Sequence, residues 1–529
     1  MLSTHSLAKA TATSPTVPKP PVLWLAVHLP LLSIETFQPN WLADHGTVVL
    51  DKNRVVALSN YARAAGVQLG MRSGSVAMLL PEAKLRQYDA AQEQATLQRV
   101  ALALLIYSPQ VASAEQASLL MNIGASLRLF GGVRQLRQRV LASMALLGVS
   151  VTLGYAPSAG AAWLMAHAAS ATGRRGRYCL TARRLSARLD PLPVRLLAAA
   201  APWRDWLQGI DCHDLKSLRQ LPRAGIQRRC GKALLASLDY AYGQAAELHQ
   251  WLQVPAEFIA YVELPERIEQ AEALLNYAQV LLQQLSGWLR AKQLALSQLQ
   301  LELEHERGRL AVAPSQVMIS LAEPTWQAEH LARLLKERLA QLSLATPVIG
   351  LRLHAAQLVA MQAPSASLFP DPSGSPQQQH RLLELLVARL GSENILQTQP
   401  LADYRPEVAN HWIAALQSQS KAHSTTHNAA QLAPAPAAMM NRPSWLLATP
   451  IALELRQHRP YYRGALSILS PPERIEAGWW NGQLITRDYF IAETSEHLRC
   501  WIYHERISAA QQAEQANEAA VWYLHGWFG

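Results

Sequence analysis

The sequence predicts an α+β multidomain chain, with a mixed strand–helix body at 21–185, an all-helical stretch at 186–253, a β-α-β-β-α-β domain at 254–361 and a small C-terminal domain at 445–529. Three observations carry this reading. Apolar runs alternate with 3.6-period segments to about residue 170, helical spacing then continues from Leu192 to Leu252, and alternating and amphipathic segments follow in the split order. A chain of 529 residues is also too long for one hydrophobic core.

The body begins with an apolar strand, Val22 to His28, followed by strand-like runs at Thr47–Leu50 and Arg54–Leu58. Residues 88–107 have helical spacing and 117–123 read as a buried strand. A helix from Gly132 to Leu147, a strand from Ser150 to Tyr155 and a helix over 158–170 complete the layer. In the next stretch, Leu215 to Leu218 leads through Leu221-Pro222-Arg223 and Gly225 to Arg228, Arg229 and Lys232, a pattern similar to a helix-hairpin-helix. Such a hairpin aims backbone N–H groups at a nucleic-acid phosphate, and its glycine permits close approach. A P-loop is excluded: Gly225 and Gly231 are one residue too far apart, and Ala233 stands where Ser or Thr would be needed. Beyond it come a strand at Phe258–Glu263, a long helix at Glu266–Ala291, strands at Leu296–Glu304 and Leu310–Leu321, a helix at Ala328–Leu342 and a strand at Val348–Val359.

Residues 1–20 read as a disordered tail, and 362–444 as a tether rich in Pro, Ser, Gln and Ala that holds a short helical insert near 380–415. No apolar run reaches membrane-spanning length, and the N-terminus lacks the compact apolar core of a secretory signal. Four scattered cysteines argue against a disulfide framework and point to a reducing cytoplasm. The net charge of +10 arises from a shortage of acids, since only 16% of residues are charged, and it favours polyanionic partners. No metalloprotease, nucleophile-elbow or dinucleotide motif is present, and no cofactor is expected. His423 and His427 have metal-like spacing but lie in the tether. The tryptophans Trp479, Trp480, Trp522 and Trp527 read as core of the C-terminal domain rather than as stacking platforms.

Several motifs add a family resemblance over residues 22–360. Ser59 to Arg63, Gly66-Val67, Gly70-Met71 and Leu80-Pro81-Glu82-Ala83 resemble the fingers motif of Y-family translesion DNA polymerases. Leu129-Phe130-Gly131-Gly132 is similar to the turn after that family's second catalytic strand, and Gly154 to Ser158 to its G-I-A-x-N-K segment. The resemblance implies a palm and fingers at 21–185, a thumb at 186–253 and a little finger at 254–361. It also exposes departures. With Ser33-Ile34-Glu35 registered on the family's S-V-E, the D-x-D positions are Ala26 and His28; with Asn122-Ile123 registered before Leu129-Phe130, the Asp-Glu pair falls on Ala117 and Ser118. The family's triphosphate-contacting tyrosine and lysine fall on Asn60 and Trp163, which leaves Arg63 as the remnant of the nucleotide site. Two-metal phosphoryl transfer needs carboxylates. The resemblance therefore implies a polymerase-like body that is not an enzyme.

That loss, together with the closing block, resembles the ImuB-type subgroup. The block comprises Pro472 to Gly482, Arg487-Asp488-Tyr489-Phe490 and Trp522 to Phe528, with Ala402 to Glu407 ahead of it. The resemblance implies a bacterial, damage-induced accessory protein, cytoplasmic and nucleoid-associated when DNA is damaged. Its implied partners are the sliding clamp, an error-prone C-family DNA polymerase and the RecA-like ImuA. The implied clamp-binding peptide is Leu368-Phe369, with Gln341 to Leu344 as a rival. Primer-template DNA would be held without sequence specificity by Arg223, Gly225, Arg228, Arg229 and Lys232 on the hairpin, and by Arg290, Lys292, Arg307, Arg309 and Arg352 on the little-finger-like domain. The alternative is an active nucleotidyltransferase with a shifted metal site built on Glu35 or Glu115.

Overall fold

Alternation along Trp24–His28 (β1) sends Leu25 and Val27 into one apolar layer and Ala26 into another, so this strand is buried on both faces. The computed structural model describes residues 22–174, 176–306, 313–361, 376–401, 403–416, 442–506 and 521–528, and the chain divides into two units, Met1–Ser373 and Gly374–Gly529. After β1 come α1 (Leu32–Glu35), β2 (Thr47–Asp51), β3 (Arg54–Leu58), α2 (Asn60–Ala64), α3 (Ser73–Leu79) and β4 (Lys84–Gln87). Then follow α4 (Ala90–Leu104), β5 (Val111–Ala114), β6 (Ser118–Asn122), α5 (Val133–Leu146), β7 (Thr152–Ala156), α6 (Ala159–Ala171) and β8 (Gly176–Tyr178).

The main sheet has the order β5-β6-β1-β7-β8, with β1 antiparallel to both neighbours. Helices α4 and α5 cover the Leu25 and Val27 face, while α6 covers the Ala26 face. Helix α6 lies close because its sequence is nearly all small and apolar, and because β7 carries glycine beneath it. A Cβ on Gly154 would sit 2.0 Å from the Ala162 carbonyl and 2.5 Å from the Ala166 nitrogen. The Ser158 hydroxyl caps the helix by accepting from the Ala161 N–H. A separate sheet of order β3-β2-β4 encloses its own small core of Val48, Leu50, Val55, Ala62 and Val76.

The stretch expected to be all-helical from Leu192 to Leu252 is helical only as far as Ala241, through α7 (Leu185–Leu189), α8 (Arg204–Gly209), α9 (Leu215–Gln220), α10 (Arg223–Cys230) and α11 (Lys232–Ala241), and 242–252 run on as turn and loop. Next come β9 (Ile259–Ile268), α12 (Leu274–Lys292), β10 (Leu294–His305), β11 (Ser315–Thr325), α13 (Ala328–Ala340) and β12 (Val348–Ala360), in a sheet of order β11-β10-β12-β9. This is the expected split arrangement, with one shift. The helix expected from Glu266 starts at Leu274, because β9 continues through Pro265 to pair Ile268 with Val348. A proline disfavours helix at the residue before it, and the ladder gains those residues instead.

Helix α12 is buried on nearly every side. One face lies on the β9–β12 sheet and another on α4, where Gly287 makes the approach possible: a Cβ there would fall 1.9 Å from the Leu102 carbonyl.

In the second unit, α14 (Pro376–Leu390), β13 (Leu396–Pro400) and β14 (Asn410–Ala414) precede β15 (Trp445–Arg456), β16 (Arg459–Tyr461), β17 (Ser467–Ile468), β18 (Glu473–Ala477), β19 (Ile485–Glu493), β20 (Arg499–Glu505) and β21 (Trp522–Trp527). The large sheet runs β16-β15-β21-β20-β19-β17, with β18 also on β19. The helical insert, expected within a tether at 362–444, belongs to this unit rather than to a linker. Arg405 explains why. Its Nη2 bonds Asp403 at 2.7 Å, its Nη1 reaches Gln483 Oε1 at 3.3 Å, and Glu407 pairs with Arg487 of β19.

Trp479 and Trp480 depart from expectation. They are 73% and 52% exposed, on a turn between two left-handed glycines, Gly478 and Gly482. Trp522 and Trp527 do pack against a core, that of Leu453, Ile502 and Leu524. All four cysteines are free and buried, and no helix among the described residues is long and apolar enough to cross a membrane. His423, His427, Arg307, Arg309, Leu368 and Phe369 lie outside the described residues.

Gly287→Ala is expected to destabilise the first unit by ~1–3 kcal/mol, because α4 and α12 must separate to admit the methyl. Thermal melting and limited proteolysis check this; an unchanged transition would remove Gly287 from the seam.

Candidate functional site

The β1–β6 register sets Ala26 opposite Leu120 and His28 opposite Ser118. Ala117 lies beside them, since its carbonyl accepts from the Leu29 N–H at 2.9 Å. The positions that the resemblance assigns to the metal site therefore lie at one end of β1 and in the adjacent β5–β6 turn. Gln116 and Ala117 both have positive φ, 54° and 48°, so the strand expected from 117 starts at Ser118. Glu115 accordingly sits in a hairpin turn and not two residues back along a strand.

Two side chains of α6 complete this end of the sheet. Trp163 and His167 are four residues apart and share a helix face. The His167 ring lies 3.8 Å from that of Trp163 and 3.9 Å from that of His28. Below this stack, Ser118 is fully buried, with His28 Nδ1 at 3.2 Å and His167 Nε2 at 3.0 Å from its hydroxyl. His28 Nδ1 is also 3.0 Å from the Gln116 carbonyl, which can only accept, so Nδ1 carries the hydrogen. The Trp163 indole N–H donates to the Glu115 carbonyl at 3.2 Å.

Electrostatically the cluster is neutral near pH 7. Burial lowers the pKa of His28, and the Gln116 carbonyl only partly offsets that. Burial, then the neighbouring His28, lowers His167 to about 3. The four assigned positions supply two methyls, an imidazole and a hydroxyl. Magnesium prefers anionic oxygen in octahedral array, so this donor set does not fit it. A serine between two imidazoles also resembles a nucleophile with its base, but Ser118 has no exposed surface for a substrate to meet. The acids proposed for a shifted site are occupied elsewhere or turned away. Glu35 accepts the Ser150 N–H at 2.7 Å, and Glu115 is an exposed turn residue.

Arg63 is exposed on α2, with Asn60 at the same helix's start. On the hairpin, the turn glycine is Gly231, at φ 81° between α10 and α11; Gly225 lies inside α10, so the expected role passes to Gly231. Arg228 and Lys232 are exposed, and Arg229 lies over the Trp206 ring at 5.3 Å. Arg223 forms a two-pronged pair with Asp239 at 2.9 and 2.7 Å. Arg352 pairs with Glu304 at 2.6 Å, and Arg290 is half-buried over Phe130 at 5.7 Å, while Lys292 is exposed. Gln341 to Leu344, the rival clamp peptide, directly follows α13.

Comparison with known proteins bears on this geometry. Residues 31–167 match the impB/mucB/samB family, and residues 257–368 match that family's C-terminal domain. Protein ImuB of Caulobacter vibrioides, in two strains, is 25% identical over 484 residues, covering 88% of this chain and all of that protein. The chain is thus similar to ImuB over most of its length, and two of its segments match the impB/mucB/samB family. The insertion ternary complex of Dbh DNA polymerase is similar at 15% identity over 64% of this chain and 100% of its own, with a TM-score of 0.36. DinB from Sulfolobus solfataricus gives 14%, 64%, 100% and 0.34.

Sequence reasoning did not single out His167, the residue that joins Trp163 to His28. The signal was present: in Ala159–Ala171, Trp163 and His167 are the two ring residues in a helix of small and aliphatic side chains, four apart.

Between its free value of 6.5 and about 3, the unfolded chain binds a proton at His167 that the folded chain refuses. Stability from this site is thus complete above about 6.5 and declines as pH falls toward 3. His167→Gln is expected to lose less denaturation midpoint than the parent between roughly pH 7 and pH 4.5. Equal losses in the two proteins would absolve His167.

Proposed function

We propose that this chain is a non-catalytic scaffold of damage-induced, error-prone translesion DNA synthesis. It holds primer-template DNA and links the sliding clamp to an error-prone C-family polymerase and the RecA-like ImuA. One observation carries the reading: three stacked rings and a buried hydroxyl occupy the end of β1 where the family's resemblance calls for metal-binding acids. A neutral cluster without carboxylates cannot offset the charge of two magnesium ions.

The net charge of +10 and the exposed Arg228, Lys232 and Lys292 support DNA holding by phosphate contact. The exposed Trp479 and Trp480 support partner binding by the C-terminal unit, because aromatic residues are enriched at protein interfaces. The clamp assignment rests on Leu368 and Phe369, an aliphatic–aromatic pair of the kind that fills an apolar pocket.

Purified protein is expected to add no nucleotide to a primer with magnesium or manganese; template-dependent incorporation would overturn the scaffold reading. Its affinity for primer-template DNA is expected to fall steeply with salt. Replacing Arg228, Arg229 and Lys232 by alanine should reduce the log–log slope by roughly 2 to 3. A slope unchanged in the triple variant would remove the hairpin from the DNA surface. Leu368→Ala/Phe369→Ala is expected to abolish binding to purified clamp, and undiminished binding would end that assignment.

A further inference from the structure

A cavity of about 420 Å³ opens where three parts of the first unit meet: the segment after α1, the start of α4 with β4, and the β9–α12 layer. None of Ala26, His28, Arg63 or Ser118 lines it, so it is separate from the positions discussed above.

Its walls carry hydrogen-bond donors that the described residues leave wholly or partly unsatisfied. Arg99 of α4 is largely buried, and its guanidinium makes one hydrogen bond, to the Thr96 hydroxyl at 2.6 Å. No carboxylate among the described residues pairs with it. Burial alone depresses its pKa, with no compensating charge nearby. Trp41, on the same wall, has a buried indole N–H without a partner. Arg86 adds a second guanidinium from β4. A buried cation is costly unless an anion accompanies it, and a buried N–H is costly without an acceptor. Two acids also line the space but leave the donors unmet: Glu35 is turned to the Ser150 N–H, and Glu263 is exposed at the rim.

We propose that this cavity binds a mononucleotide, its phosphate held by Arg99, Arg86 and the Trp41 N–H and its base set against the aromatic wall. The volume lies in the range of small-ligand pockets, and Tyr261 of β9, 43% exposed, supplies the flat surface a base needs. Phosphate suits a guanidinium fork better than any other common anion except carboxylate. The ligand would bridge α4, β4 and the little-finger-like layer.

Isothermal titration of the full chain tests this with a nucleoside 5′-monophosphate, its nucleoside, inorganic phosphate and a short single-stranded oligonucleotide. The monophosphate is expected to bind saturably, more tightly than phosphate, with the nucleoside weakest. Arg99→Gln is expected to weaken it at least ~10-fold, the loss of one charge-assisted hydrogen bond. Trp41→Phe keeps the packing but removes the donor, and should weaken it several-fold in a protein with unchanged circular dichroism. Arg86→Gln, at an exposed position, decides the matter should Arg99→Gln fail to fold. No saturable binding of the monophosphate at millimolar concentration, equal binding of phosphate alone, or affinities untouched by the variants would each overturn the proposal. So would binding of the oligonucleotide that the monophosphate cannot displace. These outcomes are independent of polymerase activity and of clamp binding.

Discussion

The pairing of β1 with β6 is the constraint on which the rest of the first unit depends. A strand bonded on both edges and packed on both faces cannot slip by one residue without turning every side chain to the wrong layer. Leu25 and Val27 must meet α4 and α5, and Ala26 must meet α6, so His28 is delivered opposite Ser118 whether or not that pairing has a use. Glycine at 154 then lets α6 come down far enough for Trp163 and His167 to close over the same end. The ring stack is the joint product of one register and one close approach. The rings fill that end and the Ser118 hydroxyl has both imidazoles within reach, while the Thr152 hydroxyl, across β1 from His28, is left without a partner.

Charge tells a parallel story. A basic excess of +10 suits a polyanion, but some of the arginines proposed for DNA are already paired. Asp239 engages Arg223 and Glu304 engages Arg352, in pairs whose geometry leaves those guanidiniums little freedom to meet phosphate. The cations left to DNA are fewer than the sequence count implies, and they concentrate on the α10–α11 hairpin and the end of α12.

Much of this was legible in the sequence. The long alternating and amphipathic segments gave the β-α-β-β-α-β domain, since burial enforces their periods, and two registers, of Ser33 to Glu35 and of Asn122-Ile123, picked out His28 and Ser118. What escaped was local or long-range. The positive φ at Gln116 and Ala117 has no marker in residues that carry a side chain. β9 runs on through Pro265 because a partner strand is waiting, which no local pattern records. Trp479 and Trp480 were read as core because large aromatics usually are, yet their turn between Gly478 and Gly482 holds them outward. Arg405 and Glu407 looked like part of a tether, and only their ties to Gln483 and Arg487 reveal a clasp.

Helix α12 finally bears on how such a chain would hold DNA. Val280 belongs to the same core as Leu25, Val27 and Met121, and Gly287 rests on α4, so the little-finger-like domain shares its interior with the palm-like body. It is not a bead on a string. Arg290 and Lys292 end this helix, and Arg290 lies over Phe130 of the palm-like body. Moving those cations relative to the sheet would mean breaking a buried helix contact, which places them in the more stable part of the molecule. A catalyst must readjust its grip at every step along a template. A scaffold has only to present a fixed one, and a shared core between the two parts that carry the proposed DNA contacts is a frame suited to that task.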